Sequence, residues 1–263
     1  MNYNIHEGQK DFTNILNNGI DINISIYQTQ KQHLSLKQIF KDNIEGTAAY
    51  VENLNIKINL YNNACVFIID DLIDFDITRS CIEFNLHENS ELNYDLKILD
   101  TQYVDKINDG LLVACNQQGY FEKTINLNFL GQGAKAKAKC LLKGLGSQLF
   151  KFKTTQNHQF ENTKSDLVIK GAFCQSSKFI CDNLIKVNKN AKNVEVSQQN
   201  KNLLLGCHSQ AISIPKLEVE ADDVSCKHGA VVSKLNDNEI FYLQSRGMEH
   251  CKAKQMLIDS FFK

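Results

Sequence analysis

The stretch Ala134-Lys135-Ala136-Lys137-Ala138-Lys139-Cys140 alternates small apolar and charged residues without a break. Successive side chains of a β-strand point to opposite faces, so this period of two puts four small residues on one face and three lysines on the other. Small inward residues fit only a narrow interior. The alternation recurs on both sides of this run. Leu54, Ile56, Ile58 and Leu60 alternate with Asn55, Lys57 and Asn59; Ile125, Leu127 and Phe129 alternate with Asn126 and Asn128; Leu217, Val219 and Ala221 alternate with Glu218 and Glu220. Each reads as a half-buried strand.

The strands are short and separated by Asn, Asp, Gly and Ser, and no amphipathic stretch among them is long enough for a crossover helix, which argues against a doubly wound sheet. Sandwich, barrel and solenoid remain. A solenoid is favoured by the absence of proline everywhere except Pro215 and by Asn-rich stretches placed to stack at corners, Asn53/Asn55 and Asn188/Asn190/Asn193. Gly131-Gln-Gly133 and Gly144-Leu-Gly146 lack the third glycine of a dinucleotide-binding turn and read as plain turns.

Beyond residue 235 the pattern changes. Asn236 followed by Glu239 resembles a capping box, Ile240 and Leu243 share a helical face, and Gly247 stands where a helix ends. Ala253, Leu257, Ile258, Phe261 and Phe262 then form an apolar stripe at helical spacing. Such a stripe either docks on the strand region or binds a partner. The organisation expected is a strand core over residues 1–235 and a helical segment over 236–263.

With 263 residues, 43% of them hydrophobic and 22% charged, the chain can bury a substantial core. A net charge of −1 supplies no basic field for phosphates, so nucleic acid is not an expected partner. The polar N-terminus Met1–Asn14 lacks the apolar centre of a signal peptide, and no later run of about 20 apolar residues would span a bilayer. A cytoplasmic location, or a reducing organellar equivalent, follows as the expectation. The nine cysteines are odd in number and form no Cys-x-x-Cys pair, which argues for free thiols, most of them in the core. No phosphate-binding loop, nucleophile elbow or His-Glu-x-x-His is present, and Asp222 and Asp223 are neighbours whose carboxylates diverge on a strand.

Cys226-Lys227-His228 is the one arrangement with metal-binding chemistry. Residues i and i+2 of a strand share a face about 6–7 Å apart, so a thiolate and an imidazole could reach one soft metal centre. The plainer reading makes Cys226 a small buried hydrophobe and His228 a hydrogen-bonded edge residue. His208 is adjacent in sequence to Cys207 and so diverges from it, and His158 reads as structural.

Several of these segments carry a family resemblance. The segment from Leu217, LEVEADDVSCKHGAVVSKL, with FYLQSRGM from Phe241 and the terminal MLIDSFF, resembles the C-terminal signature of the SufB/SufD family of iron–sulfur cluster assembly scaffolds. NHQFENTKSDLVIKG (Asn157 to Gly171) and QQNKNLLLG (Gln198 to Gly206) resemble two further blocks, extending the match over roughly residues 130–263. Asn200 and Gly229 stand where SufB-type chains carry cysteine and glutamate, which is the SufD pattern. The resemblance implies a right-handed parallel β-helix with a small C-terminal helical subdomain. It also implies a non-catalytic role, pairing with a SufB-like paralogue and binding a SufC-like ABC ATPase that supplies ATP hydrolysis; a homodimer stays open. Family members usually carry a helical region before the β-helix, so here that region is expected to be reduced or missing.

Under the resemblance, His228 and Cys226 become the ligands of iron or a nascent iron–sulfur cluster, transient and shared with SufB. Phe241, Tyr242, Arg246, Gly247, Leu257 and Phe261 become the SufC-facing residues. Two rivals stay in view. A carbohydrate-binding or carbohydrate-active β-helix protein would need paired carboxylates and aromatic platforms, and the chain has no Trp. A purely structural solenoid would leave Cys226 and His228 without a role.

Overall fold

The computed structural model describes residues 2–5, 10–11, 15–16, 19–27, 32–41, 50–71, 76–98 and 119–263. The first elements are β1 (Asn2–Ile5), β2 (Lys10–Asp11), β3 (Ile15–Leu16), β4 (Gly19–Ile26), β5 (Gln32–Ser35), α1 (Leu36–Lys41), β6 (Tyr50–Leu60), β7 (Cys65–Asp70), β8 (Asp76–Leu86) and β9 (Glu91–Ile98). After them come β10 (Tyr120–Phe129), β11 (Lys135–Gly144), β12 (Leu149–His158), β13 (Lys164–Phe173), β14 (Lys178–Val187), β15 (Val194–Leu204), β16 (Gln210–Val219) and β17 (Val224–Lys234). Two helices, α2 (Asp237–Ser245) and α3 (His250–Phe262), close the chain.

From β4 onward the even-numbered strands pair in parallel in one sheet and the odd-numbered strands in a second. The chain thus winds as a parallel β-solenoid, each coil giving one strand to each sheet. β1, β2 and β3 attach to the even sheet at its N-terminal end, β1 in parallel and β2 and β3 by antiparallel pairs. Among the described residues the one helix outside the C-terminal segment is the short α1.

The period of two predicts the core. Ala134, Ala136, Ala138 and Cys140 are buried while Lys135 and Lys137 are exposed. The space left by small residues is taken by aromatic ones: Phe173 stacks on Phe179 with centroids 5.0 Å apart. A Cβ on Gly144 would lie 2.6 Å from the Phe173 ring, and one on Gly171 2.4 Å from it, so both glycines are set by that ring.

Corners are built differently from the expectation. Asn53 and Asn55 lie inside β6, where Asn55 donates to Asp21 Oδ1 across the strands. The stacked corner consists instead of left-handed residues, Asn63, Asn89, Gly133, Asn162 and Asn193, with φ between 52° and 71°. Each donates its N–H to a carbonyl of the next coil, as Asn89 does to Gln132 and Asn162 to Lys192. Asparagine tolerates this conformation far better than a branched residue, which is why the corner uses Asn and Gly. Of the expected corner residues, Asn188, Asn190 and Asn193 do lie in the turn between β14 and β15, and Asn193 belongs to this ladder. A second asparagine row, Asn59, Asn85 and Asn128, links the outer face of the even sheet by amide hydrogen bonds.

The interior is not uniformly apolar. Lys123 of one sheet and Asp70 of the other are 2% and 1% exposed and form an ion pair, with Tyr94 Oη donating to the same Asp70 oxygen at 2.6 Å. His158 stacks on Phe129 at 4.0 Å, with Nδ1 2.7 Å from Thr163 Oγ1 and Nε2 2.8 Å from Ser165 Oγ. Thr163 Oγ1 donates to Phe160 O, so it accepts from Nδ1–H, and Ser165 donates to Nε2. The structural reading of His158 is therefore correct. Eight cysteines fall among the described residues, all as free thiols, but only Cys140 and Cys181 are fully in the core; Cys207 and Cys251 are exposed and the rest are half-buried. Burial pushes the Cys181 thiol up to about 12. Cys115 lies outside the described residues.

Removing one member of a buried ion pair strands the other in a medium that cannot solvate it. Asp70→Ala should lower the unfolding free energy by about 3–5 kcal/mol in chemical denaturation, and the double change Asp70→Leu with Lys123→Met should cost much less. Burial also holds the His158 imidazole at about 3, below its ordinary 6.5. The unfolded chain then takes up a proton that the native fold refuses, so this contribution to stability is complete above pH 6.5 and falls as pH drops toward 3. His158→Gln should flatten stability across that window, whatever it does at neutral pH.

Candidate functional site

Both sheets end on the same coil. β16 is the last strand of the even sheet and β17 the last of the odd one. Their inward residues therefore cover the coil below without being covered themselves. Leu217 is 53% and Val232 45% exposed, and Val219 is exposed as well, whereas Ile212, Ile214 and Val231 are exposed on the outer faces, in register with Ile180, Asp182 and Lys201. The Leu217–Ala221 alternation, which the pattern alone makes half-buried, sits on this uncovered end. Apolar side chains left uncovered at the end of a stack make this coil a candidate interaction surface.

Cys226 and His228 lie on that coil, on the inward face of β17. Cys226 is in register with Val196 and packs against the small cluster of Ile185, Val187, Ala191, Val194 and Val196. His228 is in register with Gln198, and its Nε2 is buried with no hydrogen-bond partner. Burial lowers the His228 pKa and raises that of Cys226. A neutral imidazole with a free nitrogen is ready to ligate, whereas the thiol gives up its proton only as a metal binds. Among the described residues no group of three or more His, Cys, Asp and Glu side chains is placed to hold a metal. The end coil therefore brings together two side chains with metal-binding chemistry, one imidazole and one thiol, and no third.

Below the end coil runs a chain of buried polar side chains that periodicity does not reveal. Gln198 donates to Thr154 Oγ1 at 3.0 Å, Thr154 to Asn183 Oδ1 at 2.8 Å, and Asn200 to Ser213 Oγ at 2.9 Å. Their inward placement follows from the alternation, while their polarity is not that of an ordinary core. Asp222 and Asp223 fall in the turn between β16 and β17, and Cys207 and His208 in the turn before β16.

The helical residues divide into two groups. Asn236 caps α2 by accepting from Asn238 N–H, and Gly247, at φ 88°, ends it with Gly247 N–H on Gln244 O and Met248 N–H on Leu243 O. Phe241 and Tyr242 are 71% and 57% exposed, and Arg246 lies 5.4 Å from the Tyr242 ring. These three form one exposed aromatic and cationic patch beside Gly247. Leu257 and Phe261 are half-buried and belong to the docked side. Lys170 of β13 donates to Phe261 O at 2.8 Å and lies 5.8 Å from its ring, tying the end of α3 to the odd sheet.

No helix among the described residues is long and apolar enough to cross a membrane. The SUF-system iron–sulfur cluster assembly SufBD core domain matches residues 113–261. The chain is 30% identical to the iron–sulfur cluster assembly protein SufD of Escherichia coli, over half of this chain and 31% of that protein. It is 28% identical to a SufBD family protein of Synechocystis, over half of this chain and 36% of the relative. The chloroplastic protein ABCI7 of Arabidopsis thaliana is 36% identical over a third of this chain and 18% of its own length. The matched stretch thus spans about a third or less of these relatives.

The geometry fixes what two substitutions do to the isolated chain. His228→Ala should change its unfolding free energy by no more than about 0.5 kcal/mol, because Nε2 forms no hydrogen bond. Lys170→Met should leave the solenoid melting transition in place while amide exchange in α3 accelerates, since it removes the contact at Phe261.

Proposed function

The chain belongs to the SufB/SufD family of iron–sulfur cluster assembly proteins, and from that membership we propose that it is the SufD-like, non-catalytic scaffold subunit of a SUF complex. In this reading residues 1–235 form the scaffold body, which pairs with a SufB-like chain through the open end, and residues 236–263 form the segment that binds a SufC-like ATPase. ATP hydrolysis is the partner's. The observation that carries the proposal is the uncovered last coil, whose apolar surface holds Cys226 and His228.

The chemistry follows from the incomplete ligand set. Iron in sulfur-rich sites takes four ligands in tetrahedral array. This chain offers one imidazole nitrogen and one thiol, so the remaining positions fall to the partner or to sulfide, and iron or a nascent cluster is held only transiently, as cargo. Pairing would also bury Leu217, Val219 and Val232, lowering the polarity around the ligands and excluding oxidants. The exposed patch of Phe241, Tyr242 and Arg246, beside Gly247, is the surface offered to the ATPase, with Leu257 and Phe261 holding the helix that supports it. The family setting suits the cytoplasm or an organellar equivalent.

Co-expression with SufB-like and SufC-like chains tests this. Phe241→Ala with Tyr242→Ala, or deletion of 237–263, should abolish capture of the ATPase and spare capture of the SufB-like chain. His228→Ala should preserve the whole complex yet sharply reduce recovery of a cluster-dependent enzyme's activity, with Cys226→Ser milder. Full activity with His228→Ala would remove the ligand role, and ATPase capture after deletion would make α2 and α3 merely structural.

A further inference from the structure

The two outer faces of the solenoid differ in how their charges are arranged. On the even sheet cations and carboxylates pair from strand to strand: Lys57 with Glu83, Arg79 with Glu52 and Glu122, Lys186 with Glu218, and Lys216 with Asp182. On the odd sheet the one such pair among the described residues is Lys164 with Glu195. Lys137, Lys139, Lys170, Lys201 and Lys227 point outward there with no carboxylate partner among the described residues. The net charge of −1 for the whole chain conceals this local excess.

Register concentrates the charge. Lys170 and Lys201 face each other across β13 and β15, in a row that runs Lys97, Leu141, Lys170, Lys201 and Val231 and holds no acidic residue. Like charges in direct register repel. The Lys170 ammonium has Phe261 O to donate to, yet burial, with Lys139 and Lys201 nearby, still lowers its pKa. Lys201 has no such acceptor. In the row of Lys227 the carboxylate of Asp166 stands two strands away, beyond Ser197.

Lys201 and Lys227 flank a depression of about 280 Å³ over Gly229. A Cβ on Gly229 would meet nothing within 4 Å, so packing does not demand the glycine and its bare backbone floors open space. Gln199 and Gly229 are in register, with Lys201 two residues beyond the first and Lys227 two residues before the second. Strand geometry sets the two lysine Cα atoms about 14 Å apart, a span that two such side chains close around one small anion. Ser197 and Gln199 add a hydroxyl and an amide to the rim, and neither side chain has a hydrogen-bond partner among the described residues. Val231, 55% exposed, forms an apolar wall.

We propose that this depression binds a phosphate group, free or carried by a small ester, with Lys201 and Lys227 as a cationic clamp and Ser197 and Gln199 as further hydrogen-bond donors. A tetrahedral dianion presents oxygens in several directions, so it accepts from ammonium groups on opposite sides while resting on the backbone of Gly229. A planar carboxylate turns both oxygens one way and suits a single cation or a guanidinium fork better than two ammonium groups across a gap. A bound dianion also relieves the repulsion between Lys201 and Lys170. The organic part of an ester lies against Val231. The clamp residues point away from the face that carries Cys226 and His228, and the inference is independent of pairing at the open end.

Isothermal titration of the full chain at constant ionic strength tests this, with inorganic phosphate and phenyl phosphate as the probes. Each should bind saturably, and Lys201→Gln with Lys227→Gln should weaken both by about tenfold or more, since charge-assisted hydrogen bonds are lost. Gly229→Val fills the depression without a clash and should weaken both on the order of tenfold with the melting transition retained. Lys151→Gln with Lys153→Gln removes two lysines from the outer face of the even sheet and should leave both affinities within about twofold. Equal affinities for the two probes support a site for free phosphate. An advantage of about fivefold or more for phenyl phosphate that disappears in Val231→Ser supports a site for an ester. Absence of saturable binding of either probe up to about 10 mM overturns the inference. So does an equal loss in the two lysine pairs, which would mean diffuse attraction to charge, or full affinity in Gly229→Val.

Discussion

A strand inside a parallel solenoid takes half its backbone hydrogen bonds from the coil before it and half from the coil after. Every interior coil can be complete, but the last coil cannot be. In this protein the unmet half falls on β16 and β17 together, since both sheets finish on one coil. Water can satisfy the exposed amides, yet it gives no cover to the apolar side chains the alternation has placed on the same strands. The placement of Cys226 and His228 on an open coil, the uncovered surface and the free edge thus arise from one circumstance, the absence of a further coil after β17.

The interior imposes the complementary constraint. Two sheets close together leave room for one layer of side chains from each, so Ala136 and Ala138 on one side admit rings elsewhere, and Gly144 and Gly171 are the complement of Phe173. Polar residues placed in that layer must be paired internally. Asp70 with Lys123 and Tyr94, and His158 with Thr163 and Ser165, meet the requirement by linking parts of the coil that apolar contacts alone would let slide. Specificity of register is what such pairs can add, at little gain in stability.

Much of this was legible before any coordinates. Alternation located the strands, the lack of proline pointed to a continuous ladder, and Asn236 and Gly247 marked the limits of α2. The Cys-x-His spacing placed both side chains on one face, as found. Other features were not legible, for physical reasons. Asparagine serves both in left-handed corners and in amide rows within strands, so composition could not separate Asn193 from Asn53 and Asn55. Inward polar residues such as Thr154, Asn183 and Gln198 obey the strand period yet carry the wrong chemistry for a core, and only cross-coil pairing explains them. The exposure of Leu217 and Val219 depends on which coil is last, a fact about the stack rather than about the residues.

The left-handed corner ladder has a bearing on how the chain comes together. Each corner residue binds the next coil, and strands pair with those one coil away, so each coil meets only its immediate neighbours and order can spread from any well-packed coil to the next. Growth of this kind can move in both directions from the aromatic region around Phe152, Phe173 and Phe179, and the final coil, next to β14 and β15, has no further coil to close against. Whatever seats on that coil would therefore supply the cover that a further coil gives everywhere else in the stack, making association a continuation of folding by the same contacts.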